Sequence, residues 1–351
     1  MRYNTFVVDK SEILKELGKA AIKGVKKVGP YVLAAELYTK IFYHRINSDP
    51  LHRFEQADYP LLLHQKKIFY SEKTKLVGYL YHYKEYDPSK LIVFAHGYGN
   101  GHKRYLDLIN GLCERGLMVF AYDLTGFDES EGKGIRSFPQ AIIDLNNALT
   151  YIRRIFKKQD LCLVGHSMGG YAVGCNLSLN KDIKKAVILS GFNKSSELVK
   201  VHGEEWVGKD AENVIKYIDT YEDAFFGKYA KMTVLDGLKN TNAECMLIHS
   251  RDDKTVPYES SFALYHAQHK GDKRFEFISF KDRGHGTIYD SADGKKYYEY
   301  VASEFNKFKK NNPKATDEEK EAYFNTIIDK SLWLNMVNNT LLDRIANFIK
   351  E

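Results

Sequence analysis

Short apolar runs alternate with helically periodic stretches along most of this 351-residue chain. Each run has the length of a buried strand, and Gly, Asn, Asp or His residues stand near its ends. The runs are 91–95, 118–122, 161–165, 186–190, 243–249 and 275–280. Because strands that alternate with helices favour parallel pairing, the pattern predicts an α/β fold with a mostly parallel sheet and helices on both faces.

The core of this predicted fold spans residues 61–191 and 243–310. It opens with two strand-like runs, 66–70 and 75–83, whose short separation predicts a β-hairpin. A chain of this length can bury a substantial core, so one large domain with appended segments is expected.

Residues 192–242 interrupt the alternation, since no strand-like run occurs there. This segment favours a helical lid inserted between two core strands, with Trp206, Phe225 and Phe226 as candidate substrate-binding side chains. A surface insertion without any role in substrate binding is the alternative.

The amino-terminal residues 1–60 are predicted to form a helical arm. Within 11–28, apolar residues at helical spacing lie beside four lysines, Lys15, Lys19, Lys23 and Lys27. That layout is typical of a basic amphipathic helix that contacts an anionic membrane surface. It is also expected of a helix packed on its own domain with a solvated lysine face, and the sequence leaves both interpretations open.

The carboxyl-terminal residues 311–351 are predicted to form a helical extension. Thr316 followed by Glu319 is a capping-box start for a helix. An apolar helical stripe follows, so we expect this extension to pack back onto the core.

Composition argues against a nucleic-acid-binding, membrane-spanning or metal-binding protein. The net charge of +6 is moderate, and no nucleic-acid-binding motif accompanies it, so no nucleic-acid partner is expected.

Widely spaced cysteines favour buried, reduced thiols and a cytoplasmic location, and no signal peptide or apolar membrane span is visible. The cysteines are Cys113, Cys162, Cys175 and Cys245. No spaced set of metal ligands occurs, so neither a metal nor another cofactor is implied.

The segment 161–171, Leu-Cys-Leu-Val-Gly-His-Ser-Met-Gly-Gly-Tyr, carries the clearest chemical signal. A strand-like run enters a Gly-x-Ser-x-Gly turn and continues as a helical pattern. A serine on such a turn is raised above the sheet, and Gly165 and Gly169 leave room for neighbouring backbone. Ser167 is therefore the predicted nucleophile.

A base and an acid follow in the expected chain order. The turn after 243–249 contains Asp252 and Asp253, and His285 follows the run 275–280. The order Ser, Asp, His and the position of each residue after a strand predict a catalytic triad. His96 and His166 are expected to be poorer bases, since one precedes the Gly97 turn and the other lies inside the serine turn.

These motifs resemble those of the α/β-hydrolase superfamily, and within it the serine aminopeptidase-like and monoacylglycerol lipase-like branch, over roughly 66–309. The motifs are His96-Gly97-Tyr98-Gly99, the segment 123–130, the serine turn, and the Asp253 and His285 loops. The resemblance implies an oxyanion hole formed by the backbone N–H groups of Tyr98 and Met168. It also selects Asp253 over Asp252, because the family acid usually stands three residues before a Val-Pro, and it implies a lid at 192–242.

The resulting prediction is a serine hydrolase that cleaves a lipophilic acyl ester, as a carboxylesterase or lipase-like enzyme, through an acyl-Ser167 intermediate. An amidase or aminopeptidase of the same fold is the alternative, because both reactions use the same triad and oxyanion hole. A catalytically silent binding module is the alternative outside the enzymes.

Overall fold

The computed structural model of the protein describes residues 38–39, 41–207 and 217–351, with the backbone alone for 203–207. Its centre is a single sheet of eight strands among these residues. The strands are β1 (Leu63–Ser71), β2 (Thr74–His82), β3 (Lys90–Ala95), β4 (Met118–Tyr122), β5 (Asp160–His166), β6 (Lys185–Leu189), β7 (Glu244–Ser250) and β8 (Phe275–Phe280).

The sheet has the strand order β1-β2-β4-β3-β5-β6-β7-β8. The hairpin strands β1 and β2 pair antiparallel, and β2 also pairs antiparallel with β4. From β4 to β8 every neighbouring pair is parallel. The predicted hairpin and the mostly parallel sheet are therefore confirmed. The carboxyl ends of β3, β5, β6 and β7 meet at one edge, where an open sheet of this kind builds its sites.

Helices cover both faces of the sheet. They are α1 (Leu106–Glu114), α2 (Pro139–Ile155), α3 (Met168–Leu179), α4 (Ser195–Val207), α5 (Ile218–Phe226), α6 (Val234–Lys239), α7 (Phe262–His269), α8 (Ala292–Asn311), α9 (Asp317–Ile327), α10 (Lys330–Leu334) and α11 (Asn339–Lys350). Short 3₁₀ helices lie at Pro50–His52, Gln56–Asp58, His102–Tyr105 and Gly227–Lys231.

Two apolar cores result from the twofold side-chain period of the strands. On β3, Leu91 and Val93 belong to the core that packs against α2 and α3, whereas Ile92 and Phe94 belong to the core beneath α1, α8 and α11. A continuous apolar strand such as β3 is buried on both faces for this reason.

The expectation of a helical arm over 1–60 is wrong for most of its described part. After residues 38–42 the backbone is irregular except for two 3₁₀ helices of three residues each. The arm hydrogen-bonds instead to a loop of the core, because the backbone N–H of Ile46 donates to Gly126 and its carbonyl accepts from Asp128. The amphipathic stripe at 11–28 lies outside the described residues, so its two interpretations stay predictions.

The carboxyl-terminal extension begins as predicted. Thr316 caps helix α9, and the reciprocal hydrogen bonds of a capping box link it to Glu319. Helices α10 and α11 then return to the core, where Trp333 and Ile345 are buried. The extension is thus part of the folded unit.

The described part of the chain contains four buried cysteines, all as free thiols. No helix within it is long and apolar enough to cross a lipid bilayer.

Candidate active site

The tight turn between β5 and α3 holds Ser167 in an unusual backbone conformation, with φ 56° and ψ −117°. Positive φ is strained for a residue with a Cβ, and such strain is typical of functional turns. The two glycines of the motif make the turn sterically feasible. A Cβ on Gly165 would lie 2.4 Å from the carbonyl oxygen of Gly169, and one on Gly169 would lie 1.9 Å from that of Ala95.

The structure brings Ser167, His285 and Asp253 together in one chain of hydrogen bonds. Oγ of Ser167 lies 2.8 Å from Nε2 of His285, and Nδ1 of His285 lies 2.8 Å from Oδ2 of Asp253. Because a carboxylate only accepts, Nδ1 carries the hydrogen and Nε2 is left to accept from the serine hydroxyl. This is the proton arrangement that a general base for Ser167 requires.

Asp253 is buried and held as an anion by several N–H groups. Oδ1 accepts from the backbone N–H groups of Thr255 and Val256, at 2.9 and 2.8 Å. Burial alone would raise the pKa of this carboxyl, but His285 and the nearby His249 hold it well below its usual range. The adjacent Asp252 makes none of these contacts and lies half-exposed beside Lys295.

Met168 and the loop that contains Tyr98 both adjoin the nucleophile. Met168 is the first residue of α3, directly after Ser167. The loop after β3 approaches from the other side, since a Cβ on Gly97 would lie 3.3 Å from the Cβ of Ser167. The assignment of their N–H groups as oxyanion donors stays a prediction.

Both ring nitrogens of His96 and of His166 are hydrogen-bonded to groups other than Ser167. His96 donates from Nδ1 to the carbonyl of Gly97 and accepts at Nε2 from the backbone of Leu124. Nε2 of His166 donates to the carbonyl of His285 at 3.0 Å. Burial lowers the pKa of His96 to about 4 and that of His166 to about 3, so both rings are neutral near pH 7.

Comparison with known proteins finds relatives for part of the chain. Residues 86–213 match the family model described as "Serine aminopeptidase, S33". Monoglyceride lipase of Rattus norvegicus is 33% identical over 85 residues, which cover 24% of this chain and 28% of the relative. A monoglyceride lipase homolog of Monkeypox virus is 30% identical over 84 residues, 23% of this chain and 30% of the relative. The chain thus spans less than a third of the length of these curated relatives.

Solved structures extend the similarity to most of the chain. An esterase of Pyrococcus furiosus superposes with a TM-score of 0.55 at 18% identity, covering 75% of this chain and 97% of its own. Est1E of Butyrivibrio proteoclasticus, with ferulic acid bound, superposes with a TM-score of 0.52 at 18% identity, covering 68% and 98%. The chain has the α/β-hydrolase fold. The predicted resemblance to the serine aminopeptidase-like and monoacylglycerol lipase-like branch is thereby confirmed.

The structure gives supporting roles to three residues for which the sequence predicted no such role. The hydroxyl of Tyr105 accepts from the backbone of Gly97 at 3.1 Å and lies 2.9 Å from Nδ1 of His166, linking the two loops beside Ser167. Asp252 accepts from the backbone N–H of Gly284 in the loop of the base, and Nε2 of His249 donates to the carbonyl of Val256 in the loop of the acid. Only the positions of Asp252 and His249 beside the acid turn could have suggested such roles, because hydrogen bonds between distant segments leave no periodic signal.

The inserted segment, from α4 to α6, lies between β6 and β7. Phe225 is half-exposed and its ring lies 4.6 Å from that of Tyr221. Phe226 packs against Ile143 of α2 in a small apolar cluster separate from the core around Ser167. That packing supports an anchoring role for Phe226. Trp206 lies on α4, and its side chain is outside the described part of the structure.

An aromatic cluster begins at Tyr98, the residue after Gly97. The ring of Tyr98, one residue after the loop that touches Ser167, packs edge-on against Phe42 at 5.6 Å and Phe138 at 5.8 Å. Phe138 in turn lies 5.0 Å from Phe192, which follows β6. The rings come from four separate segments, so no local sequence pattern could have predicted the cluster.

Proposed function

We propose that this protein is a serine hydrolase that cleaves a lipophilic acyl ester through an acyl-Ser167 intermediate. The observation that carries the proposal is the chain of two 2.8 Å hydrogen bonds from Ser167 through His285 to Asp253. A serine hydroxyl is a weak nucleophile, so a base in contact with it and a carboxylate that orients the base are the expected requirements.

In the proposed reaction, Oγ of Ser167 attacks the ester carbonyl while Nε2 of His285 takes the hydroxyl proton. The N–H groups of Tyr98 and Met168 stabilise the resulting oxyanion, a contribution of about 2.7 to 4 kcal/mol for one such donor. Collapse of the tetrahedral adduct breaks the ester bond, and the leaving alcohol receives the proton from His285. A water molecule, deprotonated by His285, then attacks the acyl-serine, and the bond to Oγ of Ser167 breaks as His285 returns the proton to that oxygen.

An ester with an apolar acyl group is favoured by the aromatic cluster of Phe42, Tyr98, Phe138 and Phe192, which begins one residue after Gly97 in the loop that approaches Ser167. The relatives named as monoglyceride lipases and an esterase support the same class of substrate. An amidase or aminopeptidase is the second candidate, supported by the description of the matching family. A silent binding module would have no need of the ordered hydrogen bonds on Ser167.

The decisive experiment is labelling with an active-site fluorophosphonate, beside turnover of p-nitrophenyl esters of increasing chain length and of aminoacyl p-nitroanilides. We expect labelling and ester turnover in the wild type. Ser167→Ala should remove the label and reduce turnover by about three to six orders of magnitude, with the fold intact. Turnover that survives in a clean Ser167→Ala preparation would refute the assignment, and preferential cleavage of anilides would establish the second candidate.

A further inference from the structure

His249 is a buried histidine beside the triad, and the proposed reaction does not use it. It is the penultimate residue of β7 and is 1% exposed. Its Nε2 lies 3.0 Å from the carbonyl oxygen of Val256. Because a carbonyl oxygen only accepts, this nitrogen must carry a hydrogen. The fold therefore determines which nitrogen of His249 is the donor.

The same N–H group also faces the carboxylate of Asp253. Nε2 of His249 lies 3.3 Å from Oδ2, the oxygen that accepts from Nδ1 of His285 at 2.8 Å. Two imidazole rings thus share one carboxylate oxygen. A donor to a carboxylate stabilises its charged form and makes the oxygen less basic toward its other partner.

Aromatic neighbours fix the orientation of the His249 ring. The ring of Tyr258 packs edge-on against it at a centroid distance of 5.8 Å, and that of Phe262 lies at 6.1 Å. Since a buried ring held in this way has little freedom to turn, the donor stays directed at the acid turn.

We propose that His249 is a positioning residue of the triad, which fixes the Asp253 carboxylate and, by sharing Oδ2, weakens the hold of that carboxylate on the proton of His285. The inference rests on the proposed function, because it concerns His285 as a general base. Without the N–H of His249, the carboxylate would be less well oriented and would stabilise the imidazolium form of His285 more strongly.

Other ionisable groups face this pair from neighbouring elements. They are His166 on β5, Arg104 before α1, His202 on α4, Asp252 and Arg251 after β7, and Lys295 on α8. Several bind backbone groups of the two loops: Nη2 of Arg104 lies 3.5 Å from the Gly286 carbonyl oxygen, and Nε2 of His202 lies 2.8 Å from that of Thr255. These residues are unchanged in every His249 variant, so differences among those variants report on His249.

The test compares two amide side chains of different reach. Gln at position 249 can place an N–H near the position of Nε2, whereas Asn is too short. For His249→Asn we expect kcat for a p-nitrophenyl ester to fall about 10- to 100-fold, as for loss of one hydrogen bond to a charged group, with little change in KM. The acid limb of the pH profile of kcat/KM should move upward by about 0.5 to 1 pH unit. His249→Gln should retain most of the wild-type kcat and the wild-type acid limb.

His202→Leu is the matched control, because His202 donates to the same turn without contacting the Asp253 carboxylate. It should leave the acid limb in place, and thermal unfolding of each variant reports whether its fold is intact. Equal profiles for the Asn and Gln variants, or the same upward shift in His202→Leu, would overturn the inference. If the wild type takes the fluorophosphonate label and His249→Asn keeps the wild-type kcat and acid limb, this inference alone is overturned. Absence of both label and turnover in the wild type would overturn the proposed function as well.

Discussion

The carboxylate of Asp252 accepts a hydrogen bond from the backbone N–H of Gly284, with 2.8 Å between Oδ1 and the nitrogen. The hydroxyl of Ser250 links the same two segments, because it donates to Asp252 and accepts from the backbone N–H of Arg283. The two adjacent acids after β7 therefore hold different parts of one loop. Asp253 orients the ring of His285, and Asp252 ties down the backbone that precedes it.

This division predicts unequal effects of the two Asp→Asn substitutions. Asp253→Asn should leave His285 in the wrong tautomer and lower kcat about 10³- to 10⁴-fold. Asp252→Asn keeps an amide oxygen that can accept from Gly284, so its effect on kcat should be small. Steady-state kinetics on the same ester check the ranking. The reverse order would assign the triad acid to Asp252.

A second prediction concerns the space at the serine turn. Gly169→Ala places a methyl group 1.9 Å from the carbonyl oxygen of Ala95, where backbone cannot yield cheaply. We expect the free energy of unfolding to fall by about 3 kcal/mol or more, with loss of activity. Gly286→Ala is the control, because its Cβ would meet nothing within 4 Å. Denaturant unfolding measures both, and equal stabilities would contradict the close contact.

A third prediction concerns Tyr105, whose hydroxyl lies between Gly97 and His166. Tyr105→Phe should leave two buried polar groups without that partner, at a cost of about 1–3 kcal/mol for each in stability. Because both groups belong to loops beside Ser167, kcat should fall as well.

Tyr81→Phe is the comparison for Tyr105→Phe. Its buried hydroxyl also lies 2.9 Å from a histidine nitrogen, that of His102, which is not in contact with the triad residues. It should lower the free energy of unfolding and leave kcat unchanged. If both variants lower the free energy of unfolding and leave kcat unchanged, the hydrogen bonds of Tyr105 have no part in catalysis.

A fourth prediction follows from Glu222 of the inserted helix α5. Its Oε1 accepts from the hydroxyls of Tyr38, Ser137 and Ser195, and no described residue binds Oε2. Burial raises the pKa of this carboxyl to about 7, with the hydroxyl contacts opposing the shift. The native state then binds more protons than the unfolded state between the usual pKa of a Glu and pH 7, so stability falls as pH rises through this window.

Glu222→Gln removes that proton uptake. The unfolding free energy of Glu222→Gln relative to wild type should increase by about 1–3 kcal/mol between pH 5 and pH 8. Denaturant unfolding at both pH values measures the change. Glu259→Gln, at an exposed position, should show no such trend, and a flat difference for Glu222→Gln would contradict the buried, protonated carboxyl.

Much of the fold and the candidate triad could be predicted from local patterns. The strands 118–122 and 275–280 have the predicted bounds. The first is continuously apolar because it is buried on both faces, whereas the second lies at the edge of the sheet and includes the polar residues Glu276 and Ser279. Ser167 and His285 could be named because each sits on a short motif after a strand. The helical arm was predicted wrongly for residues 43–60, since the backbone around Ile46 makes its hydrogen bonds with a loop 80 residues away along the chain, around Gly126 and Asp128.

The sequence by itself determined the strand-helix alternation, the serine turn at Ser167 and the chain order of the triad candidates, because periodicity and turn chemistry are properties of neighbouring residues. Only the tertiary structure decided that Oδ2 of Asp253 faces two histidines, that Tyr105 bridges two loops, and that Phe138 and Phe192 meet beside Tyr98. Those relationships depend on distances of a few ångströms between segments that are remote in sequence. Such distances are set by the packing of the whole sheet and its helices, and no local pattern encodes them.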